Sequence, residues 1–473
     1  MVLLPLPRFV AIQSKFQTYL HYMHKGVGLH GFLEFTGEEI ASPYAKFEIE
    51  GAKCTAGNDN GFVHIRCCYN NKYWVAKSSS DSFIVARADE PNEDQSQWSC
   101  TLFEPIRVDC KEGSGSTNTT VQFRHVQLGQ YLTRTCLIAQ SLSTDSDRHD
   151  VFGIIDWGSM LILPKHIAFK GDNGLYLSAR LRNDGYNYLE FASRDNGDPT
   201  VGNEVFITKD GRVRIKNNHF DKFWMRSIDW NWIWAYSDDS TTDNLNTLFT
   251  PVKVGDNVIA LRNLGSNNFC MRMISIEGKD NCLYAGVETL SKEARLEVEE
   301  LVISREIYNV IFHLMDARIY NQNKITMATK IVTNDTQESN TAKLKFLRKE
   351  TKSSTWNVIA SFKLGVKTEI QTGIPFIVEG RVEVSAEFSG GYKWGETMST
   401  ENQVDTEYTI PVPPMSKVTV SLLATQGSCN VPYSYTQRDT LMNGKTDILH
   451  FDDGVYTGVN SFQFKYDITT EKL

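Results

Sequence analysis

The chain has 473 residues, 41% of them hydrophobic and 22% charged, which is enough for about three domains that each bury a core. Its formal net charge of −8 comes from 57 acidic and 49 basic residues spread along the chain. This balance excludes most nucleic-acid binders, because those proteins cluster cations against phosphates. No run of 18 apolar residues occurs, so the sequence predicts no membrane-spanning helix.

The N-terminus and the cysteines favour a cytoplasmic protein. Pro5, Pro7 and Arg8 interrupt the first apolar run, which is therefore too short for the core of a signal peptide. The nine cysteines form no CxxC pair and no zinc-ligand spacing. We expect reduced, mostly buried thiols, no metal and no cofactor, in a cytoplasmic or nucleocytoplasmic chain. Disulfides in a secreted chain are the alternative.

The first 300 residues repeat once, with a period of about 150 residues. Residues 32–35 return as 188–191, 63–66 as 213–216 and 101–105 as 247–251, always in the same order. We therefore predict two homologous domains, 1–152 and 153–302, followed by a third of different texture, 303–473.

A finer repeat lies inside each homologous domain. An aromatic residue followed by an apolar one recurs about every 45–58 residues, among short alternating strands and Gly, Asn and Asp turns. The pairs are Tyr19-Leu20, Tyr73-Trp74, Tyr131-Leu132, Tyr176-Leu177, Phe223-Trp224 and Phe269-Cys270. Three similar all-β lobes per domain predict a β-trefoil, with the aromatic of each lobe in the shared core.

Several motifs of residues 1–300 resemble the amaranthin family of plant agglutinins. They are Asn71-Lys72-Tyr73-Trp74, Trp98-Ser99-Cys100-Thr101-Leu102-Phe103, His125-Val126-Gln127-Leu128-Gly129-Gln130-Tyr131 and Asp150-Val151-Phe152 with Asp156-Trp157. The resemblance implies two β-trefoils joined by a short helical connector and a role in plant defence. It also implies binding of a galactose/N-acetylgalactosamine disaccharide where two subunits of a dimer meet head to tail.

A sugar site needs an aromatic ring for the apolar face of the sugar and polar groups for its rim. Two loops combine these residue types. The candidate carbohydrate-binding residues are Asn71, Tyr73, Trp74, Ser80, Asp81 and Phe83 in the first domain and Asp229, Trp230, Asn231 and Trp232 in the second. In the first loop, residues 80–83 depart from the amide and adjacent aromatics of the family.

Each of these candidates has a structural alternative. Core packing is the alternative for Tyr73 and Trp74, and a solvated loop carboxylate is the alternative for Asp81. The spacing of Trp230, Trp232 and Trp234 predicts that all three share one strand face, which is either core or a stacking platform.

The third domain contains a long alternation from residue 360 to residue 391, in which apolar residues keep the even positions. Its connecting segment, Ile374-Pro375-Phe376-Ile377, is apolar where a hairpin turn is normally polar. Each strand offers about 10–12 residues, enough to cross a bilayer. The candidate membrane-hairpin residues are Phe362, Leu364, Val366, Ile370, Ile374, Phe376, Ile377, Val382, Val384 and Phe388.

Folding this segment about Pro375 favours one register, because charges of opposite sign then face each other. Lys363 faces Glu387, Lys367 faces Glu383 and Glu369 faces Arg381, and the outlying Trp356 and Trp394 fall symmetrically. A register shifted by two residues remains open. A soluble sandwich strand that alternates for ordinary reasons is the alternative to a membrane hairpin.

Residues 303–473 resemble an aerolysin-type β-pore-forming module through the stretches 408–414, 417–420 and 429–436. The resemblance implies long twisted strands with an inserted hairpin, which 360–391 would supply. A barrel needs several copies, because the edges of one hairpin would be unpaired in lipid. The odd-numbered face would line the pore with a net charge of −1 per subunit and give weak cation preference.

No P-loop, GxSxG, HExxH or GxGxxG motif occurs, so no catalytic residues are predicted. The predicted fold is all-β, with two tandem β-trefoils followed by an elongated aerolysin-like β-sandwich. The predicted function is a lectin that binds glycans, assembles into a homo-oligomer and forms a pore in a target membrane. The alternative is a non-lytic lectin whose third domain serves oligomerisation only.

Overall fold

A computed structural model describes residues 6–24, 26, 28–55, 61–108, 119–133, 137–140, 150–239, 241, 243–276, 278–358, 366, 368–385, 388–392 and 395–473. The regular elements within these ranges are β-strands and short 3-10 helices. The described residues form two compact units. The first unit holds the described residues up to Glu306 together with Val366, Thr368 and Gln437–Leu449, and the second holds Ile307–Val358, the described residues of Glu369–Thr436, and His450–Leu473.

The first trefoil contains twelve described strands. They are β1 (Phe9–Gln13), β2 (Tyr19–Tyr22), β3 (Leu33–Gly37), β4 (Phe47–Gly51), β5 (Val63–Cys67), β6 (Tyr73–Ser78), β7 (Asp81–Ala88), β8 (Phe103–Arg107), β9 (Thr119–His125), β10 (Gln130–Thr133), β11 (Ile138–Gln140) and β12 (Phe152–Asp156). Strands β1, β4, β5, β8, β9 and β12 pair in a closed ring, and β2–β3, β6–β7 and β10–β11 are hairpins. A six-stranded barrel with three hairpins is a β-trefoil.

The second trefoil repeats this arrangement strand for strand. Its strands are β13 (His166–Lys170), β14 (Tyr176–Leu181), β15 (Asn187–Ser193), β16 (Asn203–Ile207), β17 (Val213–Asn217), β18 (Lys222–Arg226), β19 (Ile233–Ser237), β20 (Phe249–Lys253), β21 (Val258–Asn263), β22 (Phe269–Arg272), β23 (Leu283–Val287) and β24 (Leu296–Glu300). Single 3-10 turns lie at Pro43–Ala45, Lys53–Thr55, Trp157–Ser159, Leu245–Thr247 and Leu314–Asp316. The turn at Trp157–Ser159 is the short helical element between the two trefoils.

The aromatic–apolar pairs lie at the start of the hairpins. The residue that follows each aromatic in the sequence fills the barrel core. In the second trefoil Leu177, Trp224 and Cys270 are fully buried in one cluster, whereas Tyr176 and Phe269 pack in satellite clusters. The strand register shifts between the two members of each of these pairs. Such a bulge sets two residues of one strand against one residue of its partner. The second member of each pair lies in the barrel core, which corrects the expectation that the aromatic first member occupies it.

The remaining strands are long. They are β25 (Val302–Phe312), β26 (Arg318–Asn334), β27 (Asn340–Val358), β28 (Thr368–Thr372), β29 (Pro375–Val378), β30 (Arg381–Val384), β31 (Phe388–Tyr392), β32 (Thr397–Val412), β33 (Ser416–Leu441) and β34 (Thr446–Lys472). Eight of them form one sheet in the order β31-β28-β25-β33-β34-β27-β32, with β26 paired to β33, and β29 pairs with β30.

Two apolar clusters hold the second unit together. One packs the inner face of β27 and β32 against β26, β33 and β34 through Phe346, Ile410 and Val420. The other surrounds Trp356 with residues of β25, β28, β29, β33 and β34. The unit is therefore a β-sandwich elongated along its strands, and the predicted all-β class with two trefoils and a sandwich is confirmed.

Two strands lie at the predicted domain limits, which stay predictions. Strand β12 belongs to the first barrel and ends at Asp156, four residues beyond the predicted limit of 152, and β25 runs across the predicted limit of 302. Seven cysteines among the described residues are free thiols, five of them buried. In the described ranges no helix is long and apolar enough to cross a membrane.

Candidate carbohydrate site and membrane hairpin

The second trefoil has a cluster of four aromatic rings, called here the platform, that reaches the surface through Trp230 and Tyr236 and continues inward through Tyr186 and the buried Trp234. Tyr186 stacks on Trp234 with ring centroids 4.1 Å apart and an interplanar angle of 15°. Trp230 lies edge-on to Tyr186 at 6.4 Å and to Trp234 at 6.2 Å. Trp230 is 54% exposed and Tyr236 is 51% exposed, so the platform presents ring surface to solvent.

Trp230 lies in the loop between β18 and β19. The loop between β18 and β19 closes through the N–H of Ser227, which donates to the carbonyl of Trp232 at 2.8 Å. Asn231 takes a left-handed φ of 59°, a conformation that asparagine tolerates better than most residues, and its side-chain oxygen accepts from Arg226. The loop therefore ends the strand before Trp230, whose ring projects from the turn.

Asp184 and Lys279 form an ion pair, which is joined to Tyr186 through the hydrogen bond of Asp184 to the Tyr186 backbone. The carboxylate of Asp184 accepts from the N–H of Tyr186 at 3.3 Å and from the hydroxyl of Tyr188 at 3.1 Å. Burial acts to raise the pKa of Asp184, but these hydrogen bonds and the charge of Lys279, 3.6 Å away, lower it overall. The carboxylate is thus held ionised beside the platform, as a hydrogen-bond acceptor for sugar hydroxyls.

The structure divides the predicted tryptophans. Trp232 and Trp234 are 4% and 5% exposed and pack with Tyr188 and Cys282, whereas Trp230 is exposed. The expectation that all three share one strand face is wrong, because Trp230 lies in the turn and Trp232 and Trp234 pack in the interior cluster. Asp229 is exposed next to Trp230, and the amide oxygen of Asn231 shapes the loop.

In the first trefoil, two predicted residues are core residues. Trp74 is buried between Phe47 and Phe103 with centroid distances of 5.2 and 5.8 Å. Tyr73 is buried and donates its hydroxyl to Glu50 at 2.8 Å. Their rings are covered by protein and do not offer a face to a sugar, which is the core alternative that the sequence left open. Asn71 has φ 60° in the turn before β6.

The turn of β6 and β7 brings Ser80, Asp81 and Phe83 together at the surface. The N–H of Phe83 donates to Asp81 at 2.9 Å and lowers the pKa of its carboxyl, and Lys77, also 2.9 Å from Asp81, acts in the same direction. The ammonium of Lys77 lies 5.7 Å from the centroid of the half-buried Phe83 ring. This loop has polar groups but less open ring surface than the second trefoil.

Sequence reasoning missed Asp184 and Tyr186. They lie in the turn between β14 and β15. The internal repeat had identified only residues 188–191, which lie within β15. The run Gly185-Tyr186-Asn187-Tyr188, a turn glycine followed by alternating aromatics, was the available signal.

In the third domain, β29 and β30 (residues 375–384) form a hairpin whose turn is not at Pro375. Pro375 pairs with Val384 and Val378 with Arg381, so that paired residue numbers add to 759 and the turn is Glu379-Gly380, both with positive φ. The proposed register about Pro375 is therefore wrong for this conformation. Arg381 forms its ion pair with Glu383 on its own strand at 3.0 Å.

The predicted apolar tip packs inside the sandwich. Ile377 is 1% exposed, and its N–H donates to the side chain of Asn460, whose amide donates back to the carbonyl of Ile377, both at 2.9 Å. Ile370 is buried and Ile374 and Val382 pack against the same cluster, while Phe376 lies 5.5 Å from the ammonium of Lys352. The fully buried positions are thus even-numbered in β28 and odd-numbered in β29.

The other predicted hairpin residues have different positions. Val366 is half-buried and Val384 is exposed at the end of β30. Phe362 and Leu364 lie outside the described residues, as do the side chain of Phe388 and the whole of Trp394. Trp356 is 1% exposed and is a core residue of the sandwich in this conformation, not a surface aromatic.

Two family models match the chain. The first, described as an agglutinin domain, matches residues 4–156 and 161–300, which is more than half of the chain. The chain belongs to the agglutinin-domain family. The second, described as Clostridium epsilon toxin ETX/Bacillus mosquitocidal toxin MTX2, matches residues 297–459 of this agglutinin-domain chain. Both predicted resemblances, to an agglutinin and to a toxin module, are confirmed, and these are families of lectin and pore-forming-toxin type, not of enzymes.

Curated relatives match part of the chain. Natterin-1 of Thalassophryne nattereri is 28% identical over 175 residues, which are 36% of this chain and 49% of the relative. Natterin-2 of the same organism is 24% identical over 174 residues, 36% of this chain and 46% of the relative. The chain spans about half the length of the curated relatives it matches.

Solved structures also resemble the chain. The Lamprey immune protein is 15% identical with a TM-score of 0.31, over 75% of this chain and 88% of that protein. An aerolysin-like protein of Bombina maxima is 12% identical with a TM-score of 0.25, over 35% of this chain and 99% of that protein.

Proposed function

We propose that the protein is a lectin that binds glycans of a target membrane, assembles into a homo-oligomeric ring and inserts residues 360–391 as a transmembrane β-barrel. The glycan class is galactose or N-acetylgalactosamine, which the agglutinin resemblance supplies. A toxin-type family match over the third domain supports the membrane step. Storage in the cytoplasm is part of the proposal and agrees with the free thiols.

The aromatic platform supports the lectin step. Exposed Trp230 and Tyr236 offer flat apolar faces for sugar C–H groups, and the carboxylate of Asp184 is hydrogen-bonded to the backbone of Tyr186, another ring of the platform. Because burial of such rings on sugar binding removes apolar surface from water, the platform contributes affinity, while the polar groups contribute orientation. Of the two predicted carbohydrate-binding loops, the one in the second trefoil is therefore the better candidate for the sugar site.

A mismatch of registers is the observation that carries the insertion step. The long flanking strands β27 and β32 pair from Asn340↔Val412 to Thr355↔Thr397, with numbers that add to 752. The hairpin between them pairs with numbers that add to 759. Continued through the insert, the outer ladder would place the turn at Phe376, in the middle of the apolar tip.

The two registers bury different residues. With an even sum, even-numbered residues face even-numbered ones, so all the alternating apolar residues of 360–391 gather on one face, as a lipid-facing barrel requires. With the observed odd sum, Phe376 faces Glu383 and Ile377 faces Val382. The alternation of the sequence thus fits the register of the outer strands, and the packed hairpin holds the segment in another one.

A disulfide that holds the hairpin in its packed register tests this proposal. The pair Phe376→Cys and Glu383→Cys, in a Cys54→Ser background, joins residues that face each other in the 759 register. The control pair, Thr355→Cys and Thr397→Cys, joins strands whose pairing both registers keep and whose hydroxyls lie 2.7 Å apart.

Dye release from phosphatidylcholine–cholesterol vesicles that contain a mixed glycosphingolipid extract is the measurement. We expect the oxidised hairpin pair to lower the release rate at least about tenfold, with recovery on reduction, and the oxidised control pair to release dye normally. Normal release by the oxidised hairpin pair would contradict insertion of this segment. Binding to the vesicles without release by every form, the parent included, would favour a non-lytic lectin.

A further inference from the structure

The ribbon formed by β27 and β32 has a solvent face that separates charge by strand. Odd-numbered residues of both strands point to solvent, while even-numbered ones such as Phe346 and Ile410 face the core. On β27 this face carries Lys343, Lys345 and Lys349 and no carboxylate. On β32 it carries Glu401, Asp405 and Glu407 and no cation.

Within one ribbon the two rows already contact each other. Lys349 lies 2.7 Å from Glu401, Lys345 lies 3.4 Å from Glu407, and Lys343 also pairs with Glu407. These pairs are exposed, so each contributes little to the stability of the fold. Their arrangement leaves one long side of the ribbon basic and the other acidic.

Both long sides of the ribbon also have backbone edges. In the sheet order of the described residues, β32 is the terminal strand and pairs with β27 alone. On its other side, β27 pairs with β34 from Ser353 to Val358, which leaves Asn340–Lys352 as an edge among the described residues. An edge strand of 16 residues is a template for pairing with another chain.

We propose that the acidic edge strand β32 of one protein molecule pairs with the basic edge strand β27 of a second copy. The contact places the carboxylates of the first copy beside Lys343, Lys345 and Lys349 of the next. Because the two surfaces differ, the interface is head-to-tail, and its repetition gives a ring where the rotation between copies closes, as the proposed barrel requires. This inference rests on the proposed function and assigns the strands and charges that join its subunits.

An exchange of the charge rows tests the contact. The swapped chain carries K343E, K345E and K349E together with E401K, D405K and E407K, so its internal pairs persist with signs reversed and the fold is maintained. Swapped copies complement each other, whereas a swapped copy beside a parent copy places like charges together at the joint. Like charges across an interface suppress association.

Two one-sided variants complete the test. The K343E/K345E/K349E chain has two acidic rows, and the E401K/D405K/E407K chain has two basic rows. Neither complements itself, but each complements the other. We expect each alone to give at least about tenfold fewer vesicle-bound rings than the parent, and an equal mixture to restore them.

The readout is Förster transfer between labelled subunits on the glycosphingolipid vesicles, together with the mass of the extracted rings. We expect parent rings and swapped rings, but at least about tenfold fewer mixed rings than random mixing gives. Random mixing of parent and swapped subunits would overturn the charged contact and leave the proposed pore intact. Absence of rings from the parent itself would overturn both the charged contact and the proposed pore. If the swapped chain does not fold, the one-sided mixture is the deciding test, and its failure to assemble would overturn the charged contact.

Discussion

Trp230 is the residue on which sugar binding by the second trefoil should depend most, because its ring is the most exposed of the platform. Its neighbour Trp232 differs from it by two positions but is buried against Tyr188 and Tyr284. Replacing Trp232 would therefore disturb the interior of the trefoil, whereas replacing Trp230 removes a ring that contacts solvent.

We predict that Trp230→Ala weakens glycan binding at least about tenfold, or about 1.4 kcal/mol, because the sugar loses a stacking face. Trp98→Ala is the matched control, since Trp98 is 44% exposed in the first trefoil, away from the platform. The measurement is a titration of the full chain with the best ligand of a glycan array. Equal loss in both variants, or none in either, would remove the platform from the binding site.

At the scale of elements, His125, the last residue of β9, joins this strand to the segment before β8 and to the turn before β10. The ring of His125 is buried, its Nε2 donates to the carbonyl of Cys100 at 3.2 Å, and its Nδ1 accepts from the N–H of Leu128 at 3.2 Å. Both bonds require a neutral ring, and burial lowers the pKa of His125 to about 4.

This histidine makes the stability of the first barrel depend on pH. In the unfolded chain the pKa of histidine is about 6.5, so between pH 6.5 and 4 the unfolded state binds the extra proton. We predict that acidification over this window removes about 3 kcal/mol from the free energy of unfolding. Burial also lowers the pKa of His21, which adds to the same trend.

Hydrogen exchange of barrel amides in β8 and β9 at several pH values measures this effect. The variant His125→Gln keeps a donor and an acceptor but does not titrate, so its protection should fall less steeply with acid than that of the parent. Identical slopes for the two proteins would show that His125 is not the titrating group.

At the scale of the whole molecule, the proposed barrel has a definite charge in its lumen. Odd-numbered residues of the ribbon face solvent. If the alternation continues through residues 360–391, the odd-numbered charged residues line the lumen: Lys363, Lys367, Arg381, Glu369, Glu379, Glu383 and Glu387. Three cations against four carboxylates leave −1 per subunit, which predicts weak cation preference.

The reversal potential of single pores in a planar bilayer under a salt gradient measures this preference. The variant E379Q/E383Q changes the charge from −1 to +1 per subunit, so we predict that its reversal potential changes sign toward anion preference. D243N/E288Q, which neutralises two exposed carboxylates of the second trefoil, is the matched control and should leave the reversal potential unchanged. Anion preference in the parent would contradict the assignment of the odd face to the lumen.

The sequence by itself determined the repeated architecture. Order-preserving similarity between 1–152 and 153–302 identified two like domains, and the aromatic–apolar pairs identified three lobes in each, because a trefoil barrel uses one such pair per hairpin. It also identified the amphipathic segment 360–391, since alternation with period two is a property of a single strand and needs no partner to be recognised.

Only the tertiary structure decided which aromatic rings are exposed and which register the hairpin adopts. Trp74 and Trp230 both follow local patterns that suit a sugar site. Contacts with Phe47 and Phe103, distant in sequence, bury the first, whereas the second lies exposed in a loop. For the hairpin, even alternation favours one register, but packing of Ile377 against Asn460 and the sandwich core selects another. Strand pairing depends on what covers each face, and that is settled by residues far along the chain.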